Sequence, residues 1–68
     1  MITLGIDPGF ARCGYGFIES KNSVYKIVDC GLIETFQSEE YNRRLKKIFD
    51  ELNDLIIKYK PDNAAIEE

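Results

Sequence analysis

The sequence predicts an α/β unit in the order β1-β2-β3-α1-β4, with a mixed sheet in which β1, β2 and β3 run antiparallel and β4 runs parallel to β1. Three observations predict it. Apolar, aromatic and β-branched residues dominate the chain up to Phe36, broken only by turn-forming clusters. From Leu45 the apolar residues recur every three or four positions, which is the period of a helix. After Pro61, the small apolar run Ala64-Ala65-Ile66 reads as a buried strand beside a parallel neighbour.

Each element has its own signals. Ile2-Thr3-Leu4-Gly5-Ile6 alternates branched residues with small ones and stops at Asp7-Pro8-Gly9, where Pro presets φ and Gly admits a positive φ in a tight turn. Residues 14–19 and 24–36 form the next two strands, joined as a hairpin through Ser20-Lys21-Asn22-Ser23. A turn so placed sets Cys13 across from Cys30 at a non-hydrogen-bonded pair, near enough for a disulfide. Without an export signal, the two cysteines are expected to stay reduced and to serve packing. In the helix, Leu45, Ile48, Phe49, Leu52, Leu55, Ile56 and Tyr59 gather into one stripe that must pack on the sheet. Ser38 is the expected N-cap, Glu39 and Glu40 suit the positive end of the dipole, Lys58 and Lys60 suit the negative end, and Pro61 blocks continuation. The helical crossover leaves β4 free to lie parallel to β1.

Composition bounds the rest. Sixty-eight residues, 44% hydrophobic, 31% charged and with two prolines, read as one continuous unit, residues 1–68, without repeat, linker or low-complexity segment. A chain of this size buries only about 60% of the surface its unfolded form exposes, so its own core is marginal. Nine Lys and Arg against twelve Asp and Glu give a net charge of −3, so any contact with nucleic acid must be local. No apolar stretch is long enough to span a bilayer, and the N-terminus lacks the layout of a signal peptide, so a cytoplasmic location is expected.

The topology carries a chemical consequence. If β1 and β4 are parallel neighbours, Asp7 and Glu67 both emerge at carboxyl ends, their backbones about 4.8 Å apart, where open α/β sheets bind ligands. Two carboxylates so close repel unless a cation lies between them, and hard oxygen donors suit Mg²⁺ or Mn²⁺. Asp-Pro-Gly is equally an ordinary turn and a terminal Glu-Glu equally a solvated end, so spacing alone leaves both readings open. Gly14 and Gly16 are assigned to strand packing, and the cluster Arg43-Arg44 with Lys46-Lys47 to a solvated helix face. Arg12, close to the turn, is the better candidate for a phosphate contact.

The stretches Gly5-Ile6-Asp7-Pro8-Gly9, Gly14-Tyr15-Gly16 and, after a helix ending near Lys60-Pro61-Asp62, Ala65-Ile66-Glu67 together resemble the N-terminal part of the RuvC family, the bacterial Holliday junction resolvases of RNase H-like fold. The resemblance runs through essentially the whole chain. It implies a homodimeric endodeoxyribonuclease that cuts two opposed strands of a four-way DNA junction in recombination and repair. It further implies two Mg²⁺ ions, replaceable by Mn²⁺, with Asp7 and Glu67 as two of four catalytic carboxylates and Pro8 and Gly9 shaping the turn that aims Asp7. RuvA and RuvB, the branch-migration proteins, are the implied partners, beside the junction DNA itself.

Members of that family are much longer. The resemblance therefore implies that the C-terminal part of the fold, two further aspartates, more DNA contacts and most dimer-forming helices lie beyond this chain, which alone is expected to be inactive. Its second sheet face is expected to be exposed or buried by another copy. Glu68 stands where a glutamine often follows the catalytic glutamate, and is expected to neighbour the site. Two other families share parts of the pattern. Actin-like ATPases and sugar kinases use a similar first hairpin for nucleotide phosphates, but positions 10 to 16 here read Phe-Ala-Arg-Cys-Gly-Tyr-Gly, without the hydroxyl or lysine such modules carry. RuvC-like nucleases of ribosomal RNA maturation share the Asp-Pro-Gly turn but less of the Tyr-Gly strand.

Overall fold

The structure, a computed structural model, describes residues 1–66. It contains β1 (Ile2–Asp7), β2 (Arg12–Lys21), β3 (Val24–Glu34), α1 (Tyr41–Tyr59) and β4 (Asn63–Ile66), in the order expected. The strands form one sheet, β3-β2-β1-β4, with β1 central and β4 on an edge, where all four of its residues are exposed and not buried as expected, since no further strand lies beside it among the described residues. β1 and β2 pair antiparallel, as do β2 and β3, while β4 runs parallel to β1.

Alternation along the strands divides the sheet into two unlike faces. Leu4 is 1% exposed and pairs across the ladder with Phe17 at 0%; Cys13 at 4% pairs with Ile33 at 3%. These two cross-strand pairs are the core, and α1 covers them with the half-buried Ile48, Leu52, Leu55 and Tyr59. Tyr59 sets its ring 4.7 Å from that of Phe17 and donates a hydrogen bond from its hydroxyl to Asp29 at 2.9 Å. On the same side Tyr15 lies across Gly31, whose missing side chain makes the room: a Cβ there would meet the phenol oxygen at 2.7 Å. Burial and the nearby Asp29 carboxylate push the Tyr15 phenol up from its ordinary value.

The other face is bare. Ile18, Ile27 and Leu32 are exposed on it, as expected of a sheet whose second face has no cover among the described residues.

The hairpin corrects the sequence reading. Ser20 and Lys21 belong to β2, and the loop is the two-residue Asn22-Ser23, with φ of 52° and 65°. Two positive φ values make a type I′ turn, whose twist matches that of the strands it joins. A bulge between Phe17 and Ile18 then leaves Val28 without an opposite residue. Cys13 consequently faces Ile33, and Cys30 faces Gly16, so the expected Cys13 to Cys30 pairing does not occur; both thiols are free, one buried and one exposed.

The helix start is corrected as well. Ser38 is not the N-cap, because residues 36 to 39 close a turn of their own through Glu39 N–H to the Phe36 carbonyl at 3.0 Å. Glu40 is the N-cap, in extended conformation and without a side-chain cap bond, and neither Glu39 nor Glu40 lies in the first helical turn. At the other end Lys60 takes the left-handed conformation and donates its N–H to the Ile56 carbonyl at 2.8 Å, which closes the helix immediately before Pro61.

Candidate active site at the carboxyl ends of the central strands

The parallel register of β4 on β1 is locked at its amino end by a reciprocal pair. Asp62 donates its N–H to the Ile2 carbonyl at 2.8 Å and accepts the Ile2 N–H on its carboxylate at 2.7 Å. From there Thr3 lies beside Asn63, Leu4 beside Ala64, Gly5 beside Ala65 and Ile6 beside Ile66. Asp7 is the next residue of β1 and ends it, exposed, at the carboxyl edge of the sheet. The expected partner Glu67, and Glu68 after it, lie outside the described residues.

Asp7 faces the bare side of the sheet. Gly5, Gly14, Gly16, Cys30, Leu32 and Ala65 line a groove of about 670 Å³ there, with Asp7 at one end. A Cβ on Gly14 would stand 3.5 Å from the Asp7 Cβ, so glycine keeps the ground beside the carboxylate open. No hydrogen bond or ion pair among the described residues engages the Asp7 carboxylate. A hard, exposed, uncommitted oxygen donor at a strand end fits a divalent cation. The described residues alone contain no cluster of three or more potential metal ligands.

The connection from Asp7 to Arg12 departs from expectation in its cause. No glycine among the described residues has a positive φ. Gly9 is required instead by close approach, since a Cβ at that position would collide with the Arg12 carbonyl. Pro8 and Gly9 are both exposed, and Arg12, also exposed, opens β2 opposite Glu34 without forming a salt bridge among the described residues.

Sequence reasoning missed what holds this connection. Buried Thr35 donates its hydroxyl to the Phe10 carbonyl at 2.7 Å and its N–H to the Ala11 carbonyl at 3.0 Å. Arg44 donates from Nε to the Thr35 hydroxyl at 3.1 Å and lays its guanidinium 3.9 Å from the centre of the Phe10 ring, which also stacks on Tyr41 at 4.7 Å. Lys47 donates to the Glu34 carbonyl at 2.6 Å. The basic cluster expected as a solvated face is thus divided: Arg43 and Lys46 are exposed, while Arg44 and Lys47 turn back onto the fold. A threonine at the end of an apolar strand and a phenylalanine inside a polar turn were the available signals.

The chain matches the family model described as crossover junction endodeoxyribonuclease RuvC over residues 3–68. It is 76% identical to the crossover junction endodeoxyribonuclease RuvC of Brachyspira hyodysenteriae and 50% identical to that of Prochlorococcus marinus, in each case over the whole of this chain. The chain spans 42% and 43% of the length of these two curated relatives. Its fold matches the solved structure of T. thermophilus RuvC in complex with Holliday junction substrate with a TM-score of 0.95 at 22% identity, covering all of this chain and 44% of that one. A second Thermus thermophilus RuvC structure matches with a TM-score of 0.91 at 25% identity, with 43% of that chain covered. The strand order, the parallel β4 and a family match that accounts for nearly every residue agree: this chain belongs to the RuvC family of crossover junction endodeoxyribonucleases.

Proposed function

We propose that this chain contributes Asp7 and Glu67 to the metal site of a homodimeric endonuclease that hydrolyses phosphodiesters at four-way DNA junctions. The observation that carries the reading is the β1 to β4 register, which sets Ile6 beside Ile66 and Asp7 at the end of β1, while Glu67 follows Ile66 in the sequence. Family membership supplies the reaction class. Two Mg²⁺ ions, or Mn²⁺ in their place, supply when bound an activated water and a stabilised leaving oxygen. The residues of the chain do the holding. Asp7, at the end of the central strand β1, and Glu67 would hold these ions through their carboxylates, and neither would attack phosphorus. Pro8 fixes φ directly after Asp7 and Gly9 lets the backbone fold back against Arg12, whose uncommitted guanidinium suits a DNA phosphate. A second subunit, and RuvA and RuvB at the junction, complete the reading as partners.

Asp7→Asn in the full-length protein tests it. The substitution keeps size and removes the ligating charge, so cleavage of a four-way junction falls by at least about 100-fold while junction affinity stays within about twofold. Cleavage by Asp7→Asn at the wild-type rate would overturn the assignment. Titration with ATP separates the nucleotide-binding alternative, and no saturable binding is expected.

A further inference from the structure

The Asp7 to Arg12 connection is exposed at Asp7, Pro8, Gly9, Ala11 and Arg12, and the ladder of β1 and β2 ends with the pair Asp7 and Gly14. Beyond that pair the loop is held, among the described residues, by the two hydrogen bonds from Thr35 to consecutive carbonyls. Thr35 itself is only 6% exposed, and its hydroxyl is saturated in both senses: it gives its proton to Phe10 and takes one from Arg44. Arg44 in turn is fixed against the Phe10 ring, so one end of α1, the end of β3 and the loop form a closed cycle of contacts.

From this cycle we infer that Thr35 is a positioning residue for the Asp7 carboxylate, acting through the Phe10 carbonyl to hold the loop that begins at Asp7. The inference rests on the reading of Asp7 as a metal ligand. A carboxylate at the last residue of a strand is aimed by the strand on one side and by the loop on the other. Groups that orient a ligand without touching the ion commonly govern affinity by about 10- to 100-fold. Valine at position 35 keeps the β-branched shape and the N–H bond to the Ala11 carbonyl, but leaves the Phe10 carbonyl and the Arg44 Nε unpaired and so loosens the Phe10 part of the loop. Serine keeps the hydroxyl. Methionine at position 44 breaks only the outer half of the cycle, at a half-buried side chain whose loss the fold tolerates better.

The test uses Thr35→Val, Thr35→Ser and Arg44→Met in the full-length protein. Mn²⁺ binding is measured without DNA by the loss of the free-ion electron paramagnetic resonance signal, and junction cleavage is measured against Mg²⁺ concentration. Thr35→Val is expected to weaken Mn²⁺ binding and to raise the Mg²⁺ needed for half-maximal cleavage by about tenfold, with the KM for the junction within about twofold of wild type. Thr35→Ser is expected to restore both, and Arg44→Met to fall between. Wild-type metal dependence in a folded Thr35→Val overturns the inference; should that variant not fold, wild-type metal dependence in Arg44→Met overturns it. Asp7→Asn, run alongside, separates the two ideas. If it retains cleavage, the metal-ligand reading fails, and if it is dead while Thr35→Val is normal, only the positioning role fails.

Discussion

A hydrogen atom is all that position 9 can carry on the side facing Arg12, because a Cβ there would come within 3.3 Å of that residue's carbonyl carbon and closer still to its oxygen. The backbone cannot yield without moving Arg12 out of the first pair of β2. Gly9→Ala is therefore expected to destabilise the full-length protein by about 2 kcal/mol in urea unfolding. Gly14 makes the contrast. An added methyl there meets the Asp7 Cβ at an ordinary 3.5 Å, so Gly14→Ala is expected to stay within about 1 kcal/mol of wild type while slowing cleavage by crowding the carboxylate. The reverse ranking, with Gly14→Ala the more damaging to stability, would refute this account of both glycines. At this scale the site was half legible in the sequence: Asp7 is named by its place after an alternating strand and before Pro-Gly. Thr35 is not, because its role depends on a loop 25 residues away folding onto it, and no local pattern encodes that meeting.

Among the elements, those with a strong period were readable and those fixed by turn chemistry were less so. The stripe of α1, the branched residues of β1 and the stop at Pro61 led directly to the observed order. The hairpin register did not follow, because four polar residues in a row hide which two form the loop, and the bulge beside Phe17 adds a shift that alternation cannot foresee. The N-cap failed for a related reason: Ser38 is a good cap by type, but a turn captures it first. The hairpin makes its own prediction. Ser23 sits at φ 65° in a type I′ turn where glycine is preferred, and an L-residue other than Asn or Asp is strained there by about 1 kcal/mol. Part of that gain is returned as unfolded-state entropy, so Ser23→Gly is expected to stabilise the protein by about 0.5 kcal/mol, read as a higher urea midpoint at unchanged slope. A lower midpoint would mean that the Ser23 side chain contributes more than its strained backbone costs.

As a whole molecule the chain is longer than its residue count suggests. Its radius of gyration is 13.1 Å and its axes measure 46, 22 and 16 Å, whereas a compact domain of this size has a radius near 11 Å. The excess comes from the β2-β3 hairpin, whose tip runs past the amino end of β1 and leaves Val24 and Tyr25 exposed. Apolar surface is exposed elsewhere too: on the bare sheet face, at Phe49 of α1, and beside Leu45, where a groove of about 530 Å³ opens between the helix and the carboxyl ends of β1 and β4. The helix stripe is wider than the sheet beneath it can cover. No helix among the described residues is long and apolar enough to cross a membrane. Water-exposed apolar area on this scale drives association, and a net charge of −3 spread over 68 residues opposes it weakly. The 68-residue chain by itself is therefore expected to self-associate, its mean mass in sedimentation velocity rising with concentration across the micromolar range. Because the drive is apolar, added salt screens the residual repulsion and is expected to strengthen association, whereas assembly through ion pairs would weaken. A chain that stays monomeric at high concentration and high salt would mean that these surfaces close on one another in solution, and that the elongated shape does not persist there.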